Sequence, residues 1–428
     1  MAQNGKRRLT RKHETRVAAL DIGASKVACM IARVVSEPGF APHAEIIGVG
    51  HHGGPVRPKQ AASIEQIETG VRSAVEAAER MAGQRIRHVS VAVNGKYLRT
   101  RRIGVDIDIA GGLITQEDIE DSLSEGTLIA AAQDFAALHA IPTAFKTDGE
   151  EIASDPVGLN GSTLSTEMLG VAARQSVLDN LSSLIERCGL LADEFVAAPF
   201  AAAESTLIED EKDLGVVMID IGAGSTGYAV YDNGVMFDCG GIGVGGGHIT
   251  KDIAQIFGAP LADAERLKTL HGAALFGPGD EHRFIDYPEI GVARELSRAS
   301  RADLCEVIIP RVEEIFELVA QKLPDDRARR VGLRRAVITG GGSLLIGARE
   351  IAERTLYMKC RLGRPIAIAG APEASSAPGF AACAGLIQNF VNSDSEWKSG
   401  LGVLKQSAHS LPETTFLGGM QAWLRAKF

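Results

Sequence analysis

The feature that most limits the possible folds is a strand, glycine turn and strand that occurs twice in the chain. VAALDIGASKVACMIARVV begins at Val17, and VVMIDIGAGSTGYAVYDNG begins at Val216. In both copies apolar and β-branched residues flank a short turn, a pattern that predicts a β-hairpin rather than a strand followed by a helix. Because each copy opens one half of the sequence, we expect two related α/β lobes.

The length and composition are those of a globular protein with more than one domain. The chain has 428 residues, 45% of them apolar, and a formal net charge of −9. This charge argues against nucleic acid as a general partner, since phosphate contacts require a basic surface. The six cysteines stand far apart without a C-x-x-C pair, so we expect free thiols in a reducing cytosol. No apolar run in the sequence reaches the length of a membrane span.

Between the strands the sequence predicts helices and a small insertion in the first lobe. Apolar residues at helical spacing predict helices at 63–82, 116–134 and 175–188, and one long helix that includes Leu304–Val319. Between Lys96 and Thr163, short alternating runs and polar turns indicate an α+β subdomain. The segment Phe284–Ile290 shows no regular pattern and is predicted to be irregular.

Each hairpin places an aspartate at the end of its first strand, directly before the glycine turn. Glycine lets backbone N–H groups approach phosphate oxygens closely, and the two aspartates are then candidates to hold a hydrated Mg²⁺ against those phosphates. The candidate phosphate-binding residues are Asp21, Gly23, Ala24, Ser25 and Lys26 in the first hairpin and Asp220, Gly222, Gly224, Ser225 and Thr226 in the second. One such turn alone is more often an ordinary hairpin.

With an Ala-rich helix between them and a third glycine turn, Gly340-Gly341-Gly342-Ser343, the hairpins resemble the actin, sugar-kinase and heat-shock-chaperone superfamily. The resemblance implies a two-lobed fold whose hairpins clamp ATP and Mg²⁺ while the third turn packs on the adenosine. It also implies that Glu265 and Lys268 contact ribose and adenine, although such a pair is otherwise a solvated helix face.

One position departs from the ATPases of this superfamily. Many of them carry Glu or Gln before the Pro of the first connecting helix, where that side chain orients the attacking water. Here the residue before Pro199 is Ala198. A methyl group cannot polarise water, so the resemblance implies firm ATP binding with slow or absent hydrolysis.

The end of the sequence has an amphipathic pattern. In TTFLGGMQAWLRAKF one helical face carries Phe416, Leu417, Met420, Trp423, Leu424 and Phe428, with Arg425 near its edge. Lys427 interrupts this face, but its long side chain can reach lipid headgroups. The pattern predicts a helix that lies on an anionic membrane without crossing it. Docking of the helix onto the protein itself is the alternative, and the polar linker that precedes it makes this less favourable.

From Val17 to the C-terminus the chain resembles the FtsA family of bacterial cell-division proteins. The segments that carry the resemblance are LDIGASK, the second hairpin, GGGHITKDIAQIFGAPLADAERLKTLHG, VITGGG and the final WLRAKF. The resemblance implies an actin-like protein with ATP binding, a small subdomain inserted in the first lobe, and self-association into filaments on the cytoplasmic face of the inner membrane. It further implies capture of the C-terminal tail of the tubulin-like FtsZ and recruitment of later divisome proteins. Arg298, Arg301 and Arg311 are candidates for the FtsZ contact, although arginines beside acidic residues are usually solvated.

The expected domain organisation follows from this resemblance. It consists of a disordered basic tail (1–15), the first lobe (16–88 and 166–212), the inserted α+β subdomain (89–165), the core of the second lobe (213–244 and 333–376), its upper subdomain (245–332), a helix returning to the first lobe (377–391), a linker (392–413) and the amphipathic membrane helix (414–428).

Other proteins of the same superfamily are the alternatives. A sugar kinase would need a carboxylate base placed in the cleft, and none is evident. A chaperone-like ATPase would need a large substrate-binding region, for which too little chain follows Phe390. A pilus-assembly scaffold like PilM has a similar insertion but gains little from a terminal amphipathic helix, and a shape-determining protein like MreB lacks the insertion at this place.

Overall fold

The structure is a computed structural model that describes residues 13–37, 40–54, 64–131, 134–152, 155–291, 296–323 and 332–393. Its strands are β1 (His13–Ile22), β2 (Lys26–Ser36), β3 (His43–Gly53), β4 (His88–Val93), β5 (Leu98–Asp108), β6 (Phe135–Thr147), β7 (Glu150–Ile152), β8 (Thr163–Arg174), β9 (Leu191–Ala197), β10 (Val216–Ile221), β11 (Thr226–Asp232), β12 (Val235–Ile242), β13 (Phe284–Pro288), β14 (Leu296–Ser300), β15 (Arg335–Thr339) and β16 (Lys359–Leu362). The α-helices within these residues are α1 (Ile64–Ala82), α2 (Gln116–Ala130), α3 (Gln175–Arg187), α4 (Ala198–Thr206), α5 (Glu209–Leu214), α6 (Gly246–Ile256), α7 (Leu261–His271), α8 (Arg301–Lys322), α9 (Ala348–Leu356) and α10 (Ala381–Ser393).

The predicted duplication is confirmed in the sheets of the two lobes. The first lobe has the strand order β3-β2-β1-β4-β9, and the second lobe has the matching order β12-β11-β10-β15-β16. In each lobe the first strand pairs antiparallel with its hairpin partner, from His13↔Ser36 to Ile22↔Val27 and from Val216↔Tyr231 to Ile221↔Thr226. Its other edge pairs parallel with β4 or β15. The two glycine turns therefore occupy equivalent positions in the two sheets.

The two lobes meet on a pair of helices made largely of small residues. Helix α4 carries Ala201, Ala202 and Ala203, which are fully buried, and it packs against α10 in a core that also includes residues of both sheets. The approach is very close at Gly385, where a Cβ would lie 1.6 Å from the carbonyl oxygen of Ala201. Only glycine fits at this crossing, so the alanine-rich sequence sets the distance between the lobes.

The inserted subdomain is a sheet with the order β5-β8-β6-β7, and α2 covers one of its faces. Helix α2 begins at a capping box in which Thr115 and Asp118 bond to each other's backbone N–H groups. The two edges of the predicted range 89–165 cut through strands, since β4 belongs to the first lobe and β8 continues to Arg174. The run LGVAA in β8 is buried on both faces, so the sequence is continuously apolar there and does not mark where the subdomain ends.

Two local predictions were wrong. Residues 13–15, predicted to belong to a disordered tail, begin β1, because the ladder with β2 extends far enough to hold this polar segment. Phe284–Ile290 was predicted to be irregular, but Phe284–Pro288 forms β13 and pairs with β14. On β13, Phe284 and Asp286 are exposed while Tyr287 is buried, so a short alternating pattern was present.

Other predictions fall outside the described residues. These are the basic segment 1–12, the greater part of the linker (from residue 394), and the membrane helix with Phe416, Leu417, Met420, Trp423, Leu424, Arg425, Lys427 and Phe428. Among the helices that the structure describes, none combines the length and the apolar character that crossing a membrane requires.

Candidate nucleotide site between the lobes

The two glycine turns face each other across a cleft between the lobes. The turn from Gly23 to Ser25 closes with a bond from Gly23 N to Lys26 O (2.9 Å), and the turn from Gly222 to Ser225 closes in the same way (3.0 Å). A Cβ on Gly224 would lie 2.9 Å from the Ala24 side chain in the opposite turn. Glycine at 224 therefore allows the two turns to approach each other, as the predicted clamp requires.

The two predicted metal-holding carboxylates lie at the base of this cleft and interact with each other. Burial raises the pKa of Asp21, and the nearby Lys26 lowers it in part. For Asp220, burial and the charge of Asp21 together raise the pKa to about 7. Two partly buried carboxylates, one of which disfavours the charge of the other, are a donor set that a divalent cation would satisfy.

A Mg²⁺ ion fits these residues if most of its ligands come from elsewhere. Asp21 and Asp220 supply hard oxygen ligands, and in the described part of the chain no group of three His, Cys, Asp or Glu side chains could hold a metal ion. Mg²⁺ typically keeps several waters and takes one or two carboxylates together with substrate phosphates. When bound, the ion would neutralise phosphate charge, while the two aspartates would hold it between the lobes.

Lys26 is fixed on the first-lobe side of the cleft. Its ammonium group donates a hydrogen bond to the carbonyl oxygen of Gly379 and lies 3.7 Å from the centroid of the Phe380 ring. Burial lowers the pKa of Lys26, and the charges of Asp21 and Asp220 oppose that shift. Lys26 therefore joins the first glycine turn to the segment that leads into α10.

Glu265 and Lys268 form one polar cluster on the second-lobe wall. The Lys268 ammonium donates to Glu265 (2.7 Å), to Thr250 Oγ1 (2.8 Å) and to the carbonyl oxygen of Gly246 (3.1 Å). Glu265 also accepts a hydrogen bond from Thr250. These bonds connect α7 with the first turn of α6, so the two side chains are positioned against the cleft rather than solvated on a free helix face.

The third glycine turn packs directly on the second. Gly340 has φ of +81°, and a Cβ there would lie 2.2 Å from the Asp220 carboxylate. A Cβ on Gly342 would lie 2.4 Å from the side chain of Ile221. The triple glycine therefore places a bare backbone beside the carboxylate, in the conformation that glycine favours at this position.

The structure brings nearly all residues that were predicted to bind nucleotide or metal to one cavity of about 1210 Å³. The predicted residues that line it are Asp21, Gly23, Ala24, Ser25, Lys26, Asp220, Gly222, Gly224, Ser225, Glu265, Lys268, Gly340, Gly341 and Gly342. Thr226 and Ser343 do not line it. Thr226 donates to Val244 O (2.8 Å), and Ser343 donates to Gly340 O (2.7 Å). These bonds support the second and third glycine turns from outside the cavity.

Asn94 and Gly246 are among the residues of the cavity wall that were not predicted from the sequence. Asn94 follows β4 and accepts a hydrogen bond from Ser225 Oγ (2.8 Å), and Gly246 begins α6 beside the Gly222 turn. The amide of Gly246 donates to Gly222 O (2.9 Å). The start of α6 is thus tied to the second turn, which brings the positive end of the helix dipole to the cleft. VAVNG reads as an ordinary strand end, and only the fold reveals the role of Asn94.

Ala198 lines the cavity at the start of α4. Among the described residues that line the cavity, the acidic side chains are Asp21, Asp220 and Glu265. Glu265 is engaged by Lys268 and Thr250, and Asp21 lies close enough to Asp220 for its charge to raise the pKa of Asp220. Gln66 on α1 also lines the cavity, so the departure from the superfamily pattern concerns position 198 itself, where the methyl group of Ala198 cannot orient water.

The three arginines predicted to meet FtsZ are all engaged with acids of their own lobe. Arg301 binds Asp280 (2.6 Å) and lines the cavity, and Arg311 binds Asp252 (2.6 Å). Arg298 pairs with Asp286 (2.8 Å), but its side chain is 63% exposed. Exposed ion pairs contribute little free energy. Of the three, Arg298 can most readily exchange its partner for an acidic peptide.

Comparisons with known proteins agree with the observed fold and also identify the family of the chain. The chain of a PilM–PilN type IV pilus biogenesis complex aligns with a TM-score of 0.59 at 18% identity, covering 88% of this chain and 98% of that chain. MreB 5 of Spiroplasma citri bound to AMPPNP aligns with a TM-score of 0.50 at 14% identity, covering 89% and 98%. These similarities show an actin-like ATPase fold.

The sequence comparisons are more specific. A family model described as cell division protein FtsA matches residues 217–385, and one described as the SHS2 domain inserted in FtsA matches residues 95–172. Cell division protein FtsA of Agrobacterium fabrum is 35% identical over 388 residues, covering 89% of this chain and 88% of the relative. FtsA of Escherichia coli is 30% identical over 427 residues, covering 96% and 98%. With its actin-like lobes and an SHS2 insertion in the first of them, the chain belongs to the FtsA family of cell division proteins.

Proposed function

We propose that this protein binds ATP with Mg²⁺ between its lobes, polymerises on the cytoplasmic face of the inner membrane at the division site, and tethers FtsZ filaments there. It then helps to recruit later divisome proteins. Family membership supports the division role. The observation that carries the nucleotide proposal is the cleft, in which two glycine turns, two coupled aspartates and a third glycine turn converge on one cavity.

Within this proposal the residues have separate tasks. The backbones of the turns at Gly23–Ser25 and Gly222–Ser225 hold the phosphates, and Asp21 and Asp220 hold Mg²⁺ through water. The turn Gly340–Gly342 with Glu265 and Lys268 accommodates the nucleoside. Turnover is slow, because Ala198 cannot orient a water molecule. Nucleotide then acts mainly as a ligand that stabilises one state of the protein.

The membrane and FtsZ parts of the proposal rest on other features. The amphipathic pattern of residues 416–428 supports binding to the membrane surface. For the FtsZ tail, the exposed Arg298 on β14 is the best placed of the three candidate arginines. Self-association into filaments is proposed from the family resemblance alone.

The nucleotide proposal is tested by calorimetric titration of the full chain with ATP in the presence of Mg²⁺. We expect saturable binding at one site per chain and much weaker binding when EDTA replaces Mg²⁺, since the two aspartates repel an unneutralised triphosphate. Hydrolysis measured in the same samples should be slow compared with ligand exchange. If ATP did not bind, or if its affinity did not depend on Mg²⁺, the proposed role of the cleft would be contradicted.

A further inference from the structure

The inserted subdomain begins four residues after the strand that ends at the cleft, and these four residues connect the two. β4 ends at Val93, and Asn94 caps a single helical turn, Gly95–Tyr97, before β5 starts at Leu98. The Asn94 side-chain oxygen accepts from Lys96 N (3.2 Å) and from Ser225 Oγ (2.8 Å). Asn94 therefore joins the entry of the insertion to the second phosphate turn, across the boundary between the lobes.

Just beyond Asn94, the segment that leads into the insertion is packed against the second lobe. A Cβ on Gly95 would lie 2.5 Å from the carbonyl oxygen of Gly240, and one on Gly241 would lie 2.8 Å from the carbonyl carbon of Gly95. Here two backbones are in contact with no side chain between them, so a shift of one segment displaces the other. We call the segment from Asn94 to Thr100 the brace.

A side-chain bond fixes the far end of the brace. Thr100 Oγ1 on β5 donates to the Asp238 carboxylate on β12 (3.2 Å), and Tyr228 OH donates to the same carboxylate (3.4 Å). β12 is hydrogen-bonded to β11, which starts directly after Ser225. The brace thus holds the second glycine turn directly at Ser225, and it holds β12, the strand paired with β11, at Asp238.

The insertion also contacts the first-lobe wall of the cavity from another side. His139 on β6 is buried, and its Nε2 accepts a hydrogen bond from the amide of Ala197 (3.0 Å), while its ring lies 4.9 Å from that of Phe200. Ala197 immediately precedes Ala198, which lines the cavity. The brace therefore contacts the cavity wall of the second lobe at Ser225, and the insertion contacts Ala197, the residue next to the first-lobe wall residue Ala198.

We propose that the insertion senses the separation of the lobes through the brace, so that nucleotide in the cleft and ligands of the insertion influence each other's affinity. This inference rests on the proposed binding of nucleotide. The physical basis is that the insertion has rigid contacts with both lobes, so a ligand that fixes the lobes also fixes the insertion. Linkage makes the effect reciprocal, because loosening the brace must weaken nucleotide binding by the factor with which nucleotide tightens the brace.

The test compares Thr100→Val with Thr143→Val in the full chain. Thr100 is not part of the cavity wall, and valine keeps its shape while removing the bond to Asp238. Thr143 is a matched control in the same subdomain, since its hydroxyl donates to Glu167 O (3.1 Å) within the insertion. Hydrogen exchange of β5 amides and calorimetric affinity are measured with and without ADP and Mg²⁺.

In the unaltered chain and in Thr143→Val, nucleotide should slow exchange in β5 several-fold. In Thr100→Val this slowing should be largely lost, and the nucleotide affinity should fall by a similar factor. Tight binding with unchanged β5 exchange in the unaltered chain would overturn the inference while leaving the proposed function intact, as would equal behaviour of the two variants. Failure of the unaltered chain to bind nucleotide would overturn both.

Discussion

Replacing Asp220 with asparagine should abolish tight Mg-ATP binding and at the same time stabilise the nucleotide-free protein. Asparagine keeps the size of the side chain but removes one of the two charges that would hold the metal ion. We expect the affinity for Mg-ATP to fall ~100-fold or more, at the upper end of what loss of a metal-orienting group costs. The measurement is calorimetric titration with ATP and Mg²⁺, with Asp193→Asn as a control on an exposed carboxylate outside the cavity.

The stabilising effect follows from the sign of the pKa shift. The pKa of Asp220 is raised in the folded protein to about 7, so folding is favoured by this group at low pH and that contribution is lost as pH rises from about 4 to about 7. The Asp220→Asn protein without nucleotide should therefore gain more in melting temperature at pH 8 than at pH 4. If Asp220→Asn bound Mg-ATP like the unaltered chain, the carboxylate pair would have no metal-holding role.

Replacing Gly385 with alanine should strongly destabilise the fold. The added methyl group would lie 1.6 Å from the Ala201 carbonyl oxygen, and the surrounding residues of α4 are fully buried, so α4 and α10 must separate. Alanine in a helix gains about 1 kcal/mol over glycine, whereas overpacking a core costs about 1–3 kcal/mol and sometimes more. With backbone as the obstacle, we expect the upper end of that cost and a net loss.

The melting temperature of the nucleotide-free chain measures this effect. We expect Gly385→Ala to lower it by about 5 °C or more. The control is Gly104→Ala on β5, where an added Cβ would meet no atom within 4 Å. A Gly385→Ala protein as stable as its parent would mean that the two helices are not the fixed contact between the lobes that they form here.

The sequence was informative where function depends on a local pattern. Asp21-Ile22-Gly23 and Asp220-Ile221-Gly222 identify the ends of β1 and β10 because an apolar strand, an acid and a glycine follow one another directly. The duplicated sheet order follows from that repeat. Short-range patterns of this kind can be recognised in the sequence without knowledge of the rest of the fold.

What the sequence could not provide were contacts between distant segments. Asn94 meets Ser225 only because β4 and β11 belong to lobes that face each other, and nothing in VAVNG indicates this. Arg301 and Arg311 looked like surface residues until the structure paired them with Asp280 and Asp252. The end of the insertion was missed because β8 stays apolar from one subdomain to the next.

The most direct test of the proposed role is cosedimentation with anionic liposomes in the presence of ATP and Mg²⁺. It compares the full chain, a chain truncated after Glu413, and the full-length variant Trp423→Glu, each with a peptide of the FtsZ C-terminal tail. We predict that only the unaltered full chain pellets with the liposomes and that the FtsZ peptide pellets with it. Equal pelleting of the truncated chain, or a pelleted full chain that leaves the peptide in solution, would contradict a membrane tether for FtsZ.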